Sequence, residues 1–77
     1  MLKISERDYV KFQEHYAWQL LQSPDYRLGQ AFLNYFPEVS REMATQGREG
    51  TLLEMKMFYE TDRDQCQQWI DQWRHND

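Results

Sequence analysis

Ser5-Glu6-Arg7-Asp8-Tyr9-Val10-Lys11-Phe12-Gln13-Glu14-His15-Tyr16-Ala17-Trp18-Gln19-Leu20-Leu21-Gln22 carries its large apolar side chains at the spacing of a helix. Tyr9, Phe12, Tyr16 and Leu20 recur every three or four residues, and Val10, Ala17 and Leu21 widen that stripe. Ser5 is a good N-cap and Asp8 stands three residues later, in the manner of a capping box. Ile4 and Tyr9 have the spacing of a hydrophobic staple around that cap. The pattern predicts a helix over 6–22. Arg7, Lys11, Glu14, His15 and Gln22 fall on its opposite face, and Trp18 falls there with them.

The same reading applies at the other end. Thr61 is an N-cap residue with Asp64 three positions on, and Asp62 suits the positive end of a helix dipole. Cys66, Trp69, Ile70 and Trp73 follow at i, i+3, i+4 and i+7, which predicts a helix over 62–75 docking one narrow face. Between the two, Ser23-Pro24-Asp25 offers a cap, a first-turn proline and an acidic residue, predicting a helix over 24–36 with Leu28, Phe32, Tyr35 and Phe36 as its apolar stripe. Gly29 lies inside it at a cost of ~1 kcal/mol relative to Ala, which suggests close approach of a bulky neighbour. Pro37 interrupts the pattern, and a short helix over 38–45 would turn Val39 and Met43 inward. Gly47-Arg48-Glu49-Gly50 reads as an exposed polar turn.

The stretch 51–60 is read as extended or irregular. Leu53, Met55, Met57 and Tyr59 alternate with Leu52, Glu54, Lys56 and Phe58, although Leu, Glu, Met and Lys favour helices. A strand here would have no partner within the chain, and pairing with a second copy would make a homodimer. The fold class expected is thus mainly α, a single domain of three to four helices spanning residues 1–77.

Composition narrows the function. A chain of 77 residues with net charge −4 is one small acidic domain. It buries only about 60% of the surface its unfolded chain would expose. Its three Trp, five Tyr and four Phe therefore read first as core. The nine basic residues form no cluster, which speaks against a strong phosphate-binding surface. Apolar runs do not exceed three residues, as at Ala31 to Leu33, too short to cross a membrane, and the N-terminus has no apolar signal segment. A single cysteine, Cys66, cannot pair within the chain and fits a reducing cytoplasm.

Arg27-Leu28-Gly29-Gln30-Ala31-Phe32-Leu33-Asn34, followed by Phe58-Tyr59-Glu60-Thr61-Asp62, resembles a group of small uncharacterised proteins of phages and bacterial genomes. Their shared pattern is Arg-x-Gly-Gln-Ala with an Asn four positions after the Gln, then a Phe-Tyr pair and an acidic residue. The resemblance covers Arg27 to about Trp73, and helix one looks like an addition to it. It implies a helical fold and a phage or prophage origin, with the cytoplasm of a bacterium or an infected host as the location. It implies no activity. The segment Thr45 to Lys56 departs from the short Gly-containing loop of the group.

Four constellations of side chains are candidates for function. Arg27, Gln30 and Asn34 fall within about 60° on one helix face. They form either a fork of donors for a carboxylate, phosphate or peptide, or an anchor for the loop around Glu60 and Asp62. Trp18, with Arg7, Lys11 and Glu14 around it, is either a binding anchor or covered by another segment. Met55, Met57, Phe58 and Tyr59 read as core in preference to an adaptable surface. A catalytic site would need His15, His75, Cys66 or the acids Glu60, Asp62 and Asp64 to converge, and no spacing brings them together. Capping accounts for Asp62 and Asp64 without a metal. The expected function is a small non-enzymatic protein-interaction module without cofactor or metal. Its partner surface is Trp18, Arg7, Lys11 and Glu14, with Arg27, Gln30 and Asn34. The alternative is a nucleic-acid-associated regulator using Arg7, Lys11, Trp18 and Arg27.

Overall fold

Ser5 opens the first helix as its pattern requires: its Oγ accepts the Asp8 amide at 3.2 Å, and α1 runs Glu6–Gln22. A computed structural model describes residues 3–74 of the chain. Four more helices follow, α2 (Leu28–Tyr35), α3 (Pro37–Ala44), α4 (Gly47–Tyr59) and α5 (Arg63–Asp71). The protein is mainly α, and among the described residues the only β pairing is one parallel bridge, Ile4 to Arg74.

The core is aromatic on the α1 side. Tyr9, Phe12 and Tyr16 are buried. The Phe12 ring lies 5.6 Å from those of Phe32 and Tyr35, and 5.7 Å from that of Phe36. Large rings packed together remove much area from water per residue, which suits so short a chain. Val39, Met43, Met57, Cys66 and Ile70 complete the core from the other three helices.

The second helix begins later than its proline suggests. Residues 23–27 form the connection, closed by Tyr26 N–H donating to the Ser23 carbonyl at 3.0 Å. Tyr16 Oη donates to the Tyr26 carbonyl at 2.8 Å, so the segment is tied to α1 and Pro24 stays outside the helix. Pro37 does not merely interrupt: it stands at the start of α3, where its missing N–H costs nothing. Asp62 caps α5 in place of Thr61, its Oδ1 accepting from the amides of Asp64 at 3.0 Å and Gln65 at 3.3 Å. That helix stops at Asp71 because Trp73 and Arg74 leave it to meet the N-terminus, with Ile4 N–H donating to the Trp73 carbonyl at 2.7 Å.

The largest correction concerns 51–60, which is helical and not extended. Gly47, at φ +75°, reverses the chain after α3, so the supposed polar turn is the first turn of α4. Gly50 and Met57 are buried and Leu53 half-buried, on a helical period. The apparent alternation arose because Leu52, Met55 and Tyr59 decorate the outer face of the same helix. An edge-to-edge homodimer through this segment therefore has no strand to form on. Two glycines let α4 come close to its neighbours. A Cβ on Gly29 would stand 1.8 Å from the Met57 carbonyl oxygen, and one on Gly50 would stand 1.9 Å from that of Met43. Gly29 thus admits a neighbouring backbone and not a bulky side chain.

Candidate functional site on the outer face of the first helix

The core stripe of α1 occupies one side of the helix, so the residues near 180° from it meet solvent. Arg7, Lys11, Glu14 and Trp18 all lie there and are all exposed, Trp18 at 69%. Sequence reasoning grouped Val10, Ala17 and Leu21 with the buried stripe, but all three are exposed, Leu21 at 76%. At 100° per residue, Arg7, Val10, Lys11, Glu14, Trp18 and Leu21 fall within about 100° of one another. The signal was present in the spacing: Trp18 and Leu21 are i, i+3 neighbours. The result is an apolar ridge with Arg7, Lys11 and Glu14 along it.

The fork on α2 is not assembled. Asn34 Nδ2 donates to Tyr26 Oη at 3.1 Å, while the Arg27 guanidinium lies over the Tyr59 ring, 5.8 Å from its centroid. Gln30 is half-buried between them in sequence. Nor do these residues anchor Glu60 and Asp62, whose carboxylates serve their own segment. Glu60 Oε1 accepts the Asp62 amide at 3.0 Å, and Asp62 caps α5.

The Met/aromatic run divides. Met57 is buried and Phe58 half-buried, while Met55 and Tyr59 are exposed beside Leu52 at i, i+3 and i+7. Cys66 is fully buried and its thiol donates to the Glu60 carbonyl at 3.8 Å. Burial pushes its pKa up, against the reactive thiolate form. His15 is exposed on α1, its ring 5.3 Å from that of Tyr35, and His75 lies outside the described residues. No helix of the described residues is long and apolar enough to cross a membrane. Comparison of the chain with family models, with curated proteins and with solved structures gives no match.

Proposed function

We propose that this protein is a small non-enzymatic interaction module of the phage or prophage accessory kind, acting in the bacterial cytoplasm. It takes a protein partner on the outer face of α1. The observation that supports this reading is the pair Trp18 and Leu21, adjacent on one helix face and both mostly in water. Covering a side chain of this size recovers on the order of 2–3 kcal/mol, and aromatic anchors carry much of the energy at protein interfaces. The pair suits an apolar groove that takes helix anchors at i and i+3. Arg7, Lys11 and Glu14 would set orientation and rate more than affinity.

The test pairs stability with capture. Trp18→Ala together with Leu21→Ala should leave the melting temperature nearly unchanged and abolish recovery of a partner that the unaltered chain retains. Retention of that partner by the double variant would sink the reading. Binding of generic DNA or RNA that weakens steeply with salt would instead favour the nucleic-acid alternative through Arg7, Lys11, Trp18 and Arg27.

A further inference from the structure

Arg7, Lys11, Glu14, Trp18 and Leu21 stand four, three, four and three residues apart, which is the spacing of a coiled-coil seam. All five are exposed, while Tyr9, Phe12 and Tyr16 on the far side of the same helix fill the core. Val10 and Ala17 border the seam along one edge and are exposed as well. Every fully exposed apolar side chain of α1 thus lies on this seam or on that edge. Among the described residues none of the three seam charges is in an ion pair, since the pairs there are those of Arg74 with Glu6 and Asp71.

The order of residues along the seam is complementary to its own reverse. A two-fold axis level with the peptide between Phe12 and Gln13 sets Lys11 opposite Glu14 of a second copy. The same axis sets Arg7 opposite Trp18, because positions 7 and 18 are symmetric about the same point as 11 and 14. One register therefore supplies two Lys–Glu pairs and two Arg–Trp stacks, the latter of the kind in which a guanidinium lies on an aromatic face. Trp18 then packs beside Val10 of the facing helix and the methylene stems of Arg7 and Lys11. Parallel pairing across a two-fold axis would stack each charge on itself, and it would align the two helix dipoles. The seam carries two cations and one anion in a chain of net charge −4, so the copies do not meet acid on acid.

We propose that α1 docks antiparallel on α1 of a second copy of this chain, in the register that pairs Lys11 with Glu14 and Arg7 with Trp18. This rests on the reading of the α1 outer face as an interaction surface and names its occupant. The helix is about 25 Å long. A single helix pair of that length falls at the small end of specific interfaces, below about 1,200 Å² in total. The dimer is accordingly a weak one, populated as concentration rises.

The test is sedimentation equilibrium of the full chain from low micromolar to millimolar concentration, where a monomer–dimer equilibrium is expected. Lys11→Glu and Glu14→Lys should each weaken the dimer ~10-fold or more, since each substitution acts twice across the axis. The variant carrying both should regain most of the loss. Trp18→Ala should weaken it ~10-fold or more. All three side chains are exposed, and unchanged thermal melts would verify that the variants keep the fold. A dimer indifferent to Trp18→Ala, or a charge-swapped double variant no tighter than the single ones, would overturn the proposed register. A chain that stays monomeric throughout would overturn self-docking. If Trp18→Ala with Leu21→Ala still abolished capture of another protein in that case, the α1 reading would stand without it.

Discussion

Arg74 closes over Tyr9: its guanidinium carbon lies 4.2 Å from the ring centroid, while Nη2 reaches Glu6 at 2.7 Å and Nη1 reaches Asp71 at 3.1 Å. The last described residue of the chain thereby clamps the first turn of α1, with Gln67 Nε2 donating to Tyr9 Oη at 2.7 Å from the same side. Both ion pairs are partly solvated, so each contributes little alone, and the stacked cation adds to them. Arg74→Ala should lower stability by about 1–2 kcal/mol in urea denaturation. Arg74→Lys should recover only part, because an ammonium cannot fork between two carboxylates.

Gly29 and Gly47 should separate by mechanism. Gly29→Ala places a methyl inside the van der Waals radius of the Met57 carbonyl oxygen, and the backbone cannot yield as a side-chain tip would. A loss of about 3 kcal/mol or failure to fold is expected, outweighing the ~1 kcal/mol gain in helix propensity. Gly47→Ala meets open space and pays only for its left-handed backbone, about 1–2 kcal/mol. Chemical denaturation of both variants checks the order.

Trp73 is buried against the core although it lies beyond the last helix. Trp73→Ala should cost about 3–5 kcal/mol, a large part of the stability of any small domain. A thermal melt that hardly moves would contradict the docking of this turn.

Trp18 should behave oppositely. Its substitution by Ala should change stability by no more than about 0.5 kcal/mol, as for an ordinary surface site. Iodide should quench Trp18 readily, Trp69 partly since it is half-buried, and Trp73 least. Single-Trp variants resolve the three.

Burial raises the pKa of Cys66, and that of Tyr16 as well, where the nearby charge of Arg63 opposes the rise. Each group is neutral when protonated, so the native state holds these protons more tightly than the unfolded chain. Their contribution is fully present below the unfolded values and is lost as pH rises past about 8.5 for the thiol and about 10 for the phenol. The urea midpoint should therefore fall through the alkaline range, and Cys66→Ala should flatten the earlier part of that fall. Thiol reagents should modify Cys66 slowly in the native protein and rapidly in urea.

Helix α1, its buried ring stripe and the outward side of Trp18 were legible because each depends on neighbours a turn away. Ser5 caps it, Tyr9, Phe12 and Tyr16 repeat on one side, and Trp18 must then project from the other. Helix α5 was legible for the same reason in the burial of Cys66 and Ile70, but its end was not, since Trp73 is buried from beyond Asp71. The stretch 51–60 was not, because an apolar residue reads alike whether it faces the core or solvent. Met57 and Met55 differ only in what packs against α4.

What the sequence by itself determined is the helical class, the Ser5 cap of α1, the Tyr9, Phe12 and Tyr16 stripe and the placing of Trp18 on the opposite face, all consequences of local backbone geometry and period. Tertiary structure alone decided that α4 is a helix held by backbone contact at Gly29 and Gly50, and that Leu21 and Tyr59 meet solvent. These depend on which distant surfaces come together, and close packing between helices is set by the shapes of both partners, which no local pattern encodes.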